Sequence, residues 1–307
     1  MKKILTILLS FVMIVAVAEE RKAGPAKTME DIQGRCISVT GAVDAAAVDV
    51  LVTSLLGAGV SYSNVTYQAN LGNAAVASIG NFSGADCVAL GFDAGIILSS
   101  GTLANAVGPN SSSSTSASLG LPGDADLTTL SGNPTFDATW LQFEFVPTAN
   151  NVFIQYVFGS EEYNEYVNSN VNDVFAFFVN GQNIALIPGA ATPISINTVN
   201  NGNWPGLSAG PCMNCEYFRD NMGNAYNIEA DAMTTVLTGT AVVTPGVTNT
   251  IRIAIADAGD SVWDSWVFVK AESFSTVNPE VPISNWALYL GIFLMITFVV
   301  IRFRRMI

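Results

Sequence analysis

The chain has no histidine among its 307 residues. That removes the base of a Ser-His-Asp site and the imidazole ligand of most transition-metal centres. Basic residues are almost as scarce where a folded domain is expected. Between Asp44 and Thr276 only Arg219, Arg252 and Lys270 stand against twenty acidic residues. Such an excess argues against nucleic acid or anionic lipid as a partner. It also weakens a compact fold, unless cations are bound or the charge is spread over a solvated surface. Glycine-rich stretches such as Gly120 to Gly123 lack the lysine of a phosphate loop and read as turns. No internal repeat is visible.

Half of the residues are hydrophobic, and the long apolar runs lie at the two ends. Residues 1–18 combine Lys2 and Lys3, an apolar run from Ile4 to Val15, and the small residues of Ala16-Val17-Ala18. This is the pattern of a secretory signal peptide, too short to favour a spanning helix. Ile283 to Ile301 carries no charge and is followed by Arg302, Arg304 and Arg305. Nineteen residues at about 1.5 Å each match a hydrocarbon layer, so residues 283–301 read as a C-terminal transmembrane helix. The arginines of tail 302–307 belong on the cytoplasmic side, which leaves everything upstream outside. Trp286 and Tyr289 fall at the outer interface. The run Val281-Pro282-Ile283-Ser284-Asn285-Trp286-Ala287 with this tail resembles the tripartite C-terminal sorting signals of the PEP and IPTL types, without the full signature of either. The resemblance implies an exosortase-like processing enzyme as a partner; permanent anchoring and cleavage are both open.

For an exported chain the four cysteines suggest disulfides, with Cys212 to Cys215 as a short staple and Cys36 to Cys87 as the remaining pair, one of three connectivities. Zinc would need all four cysteines, and the Cys-x-x-Cys lies in a Gly/Asn/Pro-rich loop unlike a thioredoxin motif.

Residues 19–43 read as a flexible leader, 44–276 as one β domain and 277–282 as a linker. Val48, Leu51, Val52 and Leu55 follow helical spacing, with Asp44 as cap and Gly57 as a left-handed end. Short strands follow: Val60 to Tyr67, Gly95 to Ser99, Trp140 to Val146, Val152 to Phe158, Val174 to Val179, Ile184 to Ile187, Ile194 to Val199, Val236 to Val243, Thr250 to Ala256 and Trp266 to Glu272. Leu141, Phe143 and Phe145 alternate with Gln142 and Glu144, the signature of a half-buried strand. The fold class is mainly β: a single antiparallel, jelly-roll-like sandwich with one or two short helices. The serine run of Asn110 to Ser118 and the loop Asn200 to Asn227 read as mobile or ligand-facing insertions.

Between the buried strands Val152 to Phe158 and Val174 to Val179 lies a loop with Glu161, Glu162, Glu165 and Asp173 and no Lys, Arg or His. Carboxylates beside low-dielectric protein need partners, and a hard cation with oxygen ligands supplies one. Asp257, Asp260 and Asp264 form a second candidate group after another buried strand, and Asp124, Asp126 and Asp137 a third. The expected metal ligands are Glu161, Glu162, Asp173, Asp257, Asp260 and Asp264, and the expected cofactor is calcium. Singly, Asp and Asn also serve as turn formers. Glu161 with Asp173 or Asp260 would be the pair of a glycoside hydrolase, whereas the adjacent Glu161 and Glu162 point to opposite sides of an extended chain. Trp204, Trp263 and Tyr163 in loops are candidates for stacking on a surface glycan or protein ligand, or for plugging the ends of the sandwich.

The segments Gly95-Ile96-Ile97-Leu98-Ser99-Ser100-Gly101, Gly123-Asp124-Ala125-Asp126-Leu127, Phe136-Asp137-Ala138, Tyr156-Val157-Phe158-Gly159-Ser160-Glu161-Glu162-Tyr163, Asn172-Asp173-Val174-Phe175, Ile184-Ala185-Leu186-Ile187-Pro188-Gly189 and Ile255-Ala256-Asp257-Ala258-Gly259-Asp260-Ser261 occur in this order. With Asp264-Ser265, the set resembles the bacterial choice-of-anchor L domain over roughly residues 44–275. The resemblance implies an extracellular, surface-attached module and no known reaction or ligand. The expected function is a surface-anchored adhesion or binding module stabilised by calcium. A glycan hydrolase or a structural envelope protein are the alternatives.

Overall fold

The computed structural model describes residues 37–84, 90–202 and 210–279. The signal, most of the leader, Cys36, Cys87, Trp204 and the C-terminal segment 283–301 lie outside these. Among the described residues no helix is long and apolar enough to cross a membrane.

The elements in order are β1 Ser38–Gly41, α1 Ala45–Leu55, β2 Val60–Gln68, β3 Ile79–Ser83, β4 Ala94–Ser99, α2 Ala125–Ser131, β5 Thr135–Pro147 and β6 Asn151–Ser160. β7 Val174–Val179, β8 Gln182–Asn183, β9 Phe218–Asp220, β10 Ala232–Thr234, β11 Leu237–Val242, β12 Asn249–Ala258 and β13 Ser265–Lys270 complete the fold. One sheet runs β1-β3-β4-β13-β6-β10-β9, with β11 also paired to β6; the other runs β2-β5-β12-β7-β8. All these pairings are antiparallel. Eight strands in one sheet and five in the other exceed the eight of a jelly roll.

The alternation read in the sequence sets the core. Leu141, Phe143 and Phe145 of β5 and Ile251, Ile253 and Ile255 of β12 face Ile154, Tyr156 and Phe158 of β6. Tyr156 meets Phe177 edge-on at 4.8 Å, and Phe158 stacks on Phe175 at 4.8 Å, joining the two sheets. The outer face of the larger sheet is covered as well: Val157, Trp266 and Phe268 pack with Phe92, Leu103, Val107 and Ile228. On the outer face of the smaller sheet α2 lays Leu127 over Ala176, Ala254 and Ala256.

Several local expectations change. α1 keeps its cap, Asp44 accepting from the Ala47 amide at 2.8 Å, but it does not end in a left-handed Gly57. Leu56 is extended and bridges to Phe274, so pairing with the chain's far end terminates the helix. The end of the leader belongs to the domain, because β1 pairs with β3. Ile184 to Ile187 and Ile194 to Val199 are not strands. β8 stops at Asn183, and only single bridges such as Leu186 to Pro193 continue it, since prolines at 188 and 193 cannot donate to a ladder.

Candidate functional site: a buried acidic end of the sandwich

Strand register gathers the acids at one end. β6 finishes at Ser160, which pairs with Ser265 of β13 on one side and Ala232 of β10 on the other. Glu161, Asp264 and Asp231, each one residue beyond a paired position, therefore leave neighbouring strands at the same edge. In the other sheet Asp257 lies next to Ala256, the partner of Val174, and Asp173 directly precedes Val174. Ser265 stitches the two sheets there, its Oγ donating to Asp173 Oδ2 at 2.6 Å and lying 2.8 Å from Ser160 Oγ.

Among the described residues nine acids are buried: Asp137, Glu161, Glu162, Glu165, Asp173, Glu229, Asp231, Asp257 and Asp264. Glu161, Glu162 and Glu229 have no exposure at all. None of the described basic residues is buried with them. Arg252 is committed elsewhere: it bonds Asp126 at 2.9 Å, pairs with Asp124, and lies over Trp140 and Phe178 on the outer face of the smaller sheet.

In place of cations, one segment supplies neutral donors. Residues 105–121 cross the acidic end as a strap. Asn105 Nδ2 donates to Asp264 at 2.9 Å, and Asn110 Nδ2 to Asp231 at 2.7 Å. The Ser111 amide and hydroxyl serve Glu229 at 3.1 Å each. The Thr115 amide donates to Glu161 at 2.9 Å, and its hydroxyl to Glu229 at 2.6 Å. The amides of Ala117 and Leu121 finish the series on Asp264 and Asp137 at 3.0 and 2.7 Å. The serine run is thus a fastening rather than a mobile insertion.

Neutral donors leave the charge uncompensated. Burial pushes the Glu161 carboxyl well above its usual range, and the nearby Asp231 and Glu229 push the same way, against the Thr115 amide. Asp257 is raised well above the ordinary value by burial, then by Asp173 and Asp264. Asp264 is raised to about 7, chiefly by burial, and Asp231 to about 9, again chiefly by burial. Among the described residues, carboxylate oxygens buried without a hydrogen bond include Glu161 Oε1, Asp231 Oδ2 and Asp257 Oδ1.

Of the expected ligands, Glu161, Glu162, Asp173, Asp257 and Asp264 are buried at this end, while Asp260 is half-exposed and bonds the Val262 amide in its own turn. The third acidic group divides. Asp137 joins the strap, whereas Asp124 caps α2 through the amides of Asp126 and Leu127. Sequence reasoning missed Glu229 and Asp231; the signal available was two more acids in a stretch without a nearby base. Among the described residues no three His, Cys, Asp or Glu side chains form a group ready to hold a metal. Tyr163 and Trp263 are 0% and 1% exposed, so neither offers a ring face to a ligand. Tyr163 packs on Phe218 at 5.3 Å and Trp263 on Tyr166 at 4.8 Å, plugging the end of the sandwich. Cys212 and Cys215 are joined in a disulfide.

The acids thus close one end of a two-sheet antiparallel β module. The chain belongs to the Choice-of-anchor L domain family, whose model matches residues 39–275. This is a family of cell-surface-associated modules and associates the chain with the cell surface or envelope. No curated protein and no solved structure matches it.

Proposed function

We propose that the protein is a surface-anchored adhesion or ligand-recognition module whose fold is completed by calcium at the acidic end. The observation that carries the reading is the burial of nine carboxyl groups with no buried basic residue among the described residues. Ionised carboxylates in such a setting are costly unless paired, and calcium accepts carboxylate, amide, carbonyl and water oxygens together. The signal-like start and apolar tail of the sequence would carry the domain across the membrane and hold it there, with the acids outside where calcium is plentiful. Glycan hydrolysis fits less well, because Glu161 and Asp173 are both buried, Glu161 bonded to the strap through the Thr115 amide and Asp173 to Ala258 and Ser265.

Thermal unfolding of the full chain in detergent, with millimolar calcium against excess chelator at matched ionic strength, tests this. At a hundred times its dissociation constant a ligand of the folded state adds about 2.7 kcal/mol. For a domain of this size that raises the midpoint by roughly 5–10 °C. Equal midpoints in calcium and chelator would sink the reading.

A further inference from the structure

Resting on the anchoring half of that reading and independent of calcium, we infer that the end of the sandwich opposite the acids is a bilayer-contacting face, which lies on the membrane surface and holds the acidic end outward. Its partner is the headgroup layer of the membrane that the chain's own apolar tail would enter.

Register brings five segments together at this end. Val60 opens β2 opposite Pro147, and Val242 closes β11 opposite Asn151. Asn249 opens β12 opposite Phe145, and the turn after β7 reaches it through Asn180, whose Nδ2 donates to Asn249 Oδ1 at 2.8 Å. Backbone bonds draw the loops in: the Thr148 amide donates to Gly59 at 2.8 Å, Val243 to Asn150 at 2.8 Å and Gly246 to Pro147 at 2.9 Å. The segments are 57–61, 146–151, 180–182, 242–249 and 275–279, and none of them contains a charged residue. Lys270 and Glu272, one of each sign, line a depression beside Val277 and Pro279, so the rim is balanced. Val242, Val247 and Val277 are 83%, 50% and 60% exposed, and among the described residues Val242 is the most exposed large hydrophobic side chain. Pro147, Pro245 and Gly246 line a second open depression beside Val60.

What covers this face follows from where the chain leaves it. Thr276 is bonded to Ala58 there, through its amide at 3.0 Å and its hydroxyl at 3.3 Å, and the described chain runs to Pro279. Ile283, where the uncharged apolar stretch begins, is four residues further on, a reach of at most about 14 Å. A face tethered so close to a bilayer needs only weak contacts to settle on it. An uncharged surface can give up water to a headgroup layer, whereas a carboxylate on it would be costly. Single valines among turns of Thr, Asn, Pro and Gly suit that boundary and lack the aromatic anchors of a protein interface. Strand length then sets the orientation. β6 runs from Asn151 at this face to Ser160 at the acidic end, ten residues and about 30 Å. The field of anionic headgroups decays over about 8–10 Å, so the buried acids stand clear of it.

The experiment uses the full chain reconstituted in phosphatidylcholine vesicles. A spin label is carried on a keto amino acid placed at Val247, at Val242 or at Asn170, all exposed, which leaves the cysteines untouched. Asn170 marks the far pole, two residues before Asn172, whose amide donates to Ala258 at the acidic end. Collisions of each label with a water-soluble nickel chelate and with lipid-soluble oxygen are read by power saturation. The expected result is nickel access at Val247 at least about threefold below that at Asn170, with oxygen access above it. Equal nickel access at the two positions, in chains that float with the vesicles, overturns the inference and leaves anchoring standing. So does protection at Val247 that disappears as the chains are diluted with excess lipid, because a second copy then covers the face. A chain that does not float with the vesicles overturns both. If the chain labelled at Val247 does not fold, the label at Val242 decides alone.

Discussion

Asp264 shows what the acidic end asks of single residues. Both of its carboxylate oxygens are occupied, by the Asn105 side chain and the Ala117 amide, and its carboxyl is still raised to about 7 by burial. Asp231, with one oxygen bonded and one bare, is raised to about 9. An unfolded aspartate titrates near 3.9, so in both cases the folded state holds its proton longer. The stability these groups give is complete below about pH 4 and is lost as pH rises through the folded values. In chelator the chain is therefore expected to be more stable to urea at pH 5 than at pH 8, with calcium flattening the difference. A chelated chain that gains stability from pH 5 to 8 would contradict the stated shifts. At this scale the sequence was partly legible. Glu161 and Asp173 announced themselves as acids between two buried strands with no base nearby. Glu229 and Asp231 did not, because the three-residue strand that follows them has no alternation to mark it as buried, and only its pairing with the distant β6 brings them to the site.

At the scale of elements, long strands with clean alternation were readable, since every second side chain of β5 and β12 meets the same core. β9 and β10, at three residues each, offer no periodicity and exist through their neighbours in the sheet. α2 was hidden for a different reason: Asp124 and Asp126 read as members of a third acidic group, whereas one caps the helix and the other holds Arg252. The strap was the largest miss. Its serines and asparagines carry the composition of a mobile loop, but their donors are spent on buried acids. Thr115 is central, being 1% exposed and bonded to two glutamates. Thr115→Val keeps the shape and the amide but removes the hydroxyl bond to Glu229. It should cost about 1.5–3 kcal/mol in urea unfolding, the range for a hydrogen bond to a charged group. A cost below about 0.5 kcal/mol, the ordinary spread of surface substitutions, would mean that the strap is not fastened there.

For the whole molecule, the scarcity of basic residues and the placement of the acids are one fact seen twice. The described chain has three basic side chains, and Arg252 works on the outer face of the smaller sheet, away from the acidic end. Charge that is buried is poorly screened, so sodium chloride cannot replace an ion bound among the acids. On the proposed calcium reading, the acidic end is the part of the fold that would respond to the ion. The central claim is that these carboxylates hold calcium. The most direct measurement is the calcium content of the full chain, purified without chelator and passed through a calcium-free column, by plasma emission spectroscopy. The account predicts at least one calcium per chain, released by chelator together with a fall in melting temperature. A chain that emerges free of calcium, and takes up none when calcium is restored, would contradict it.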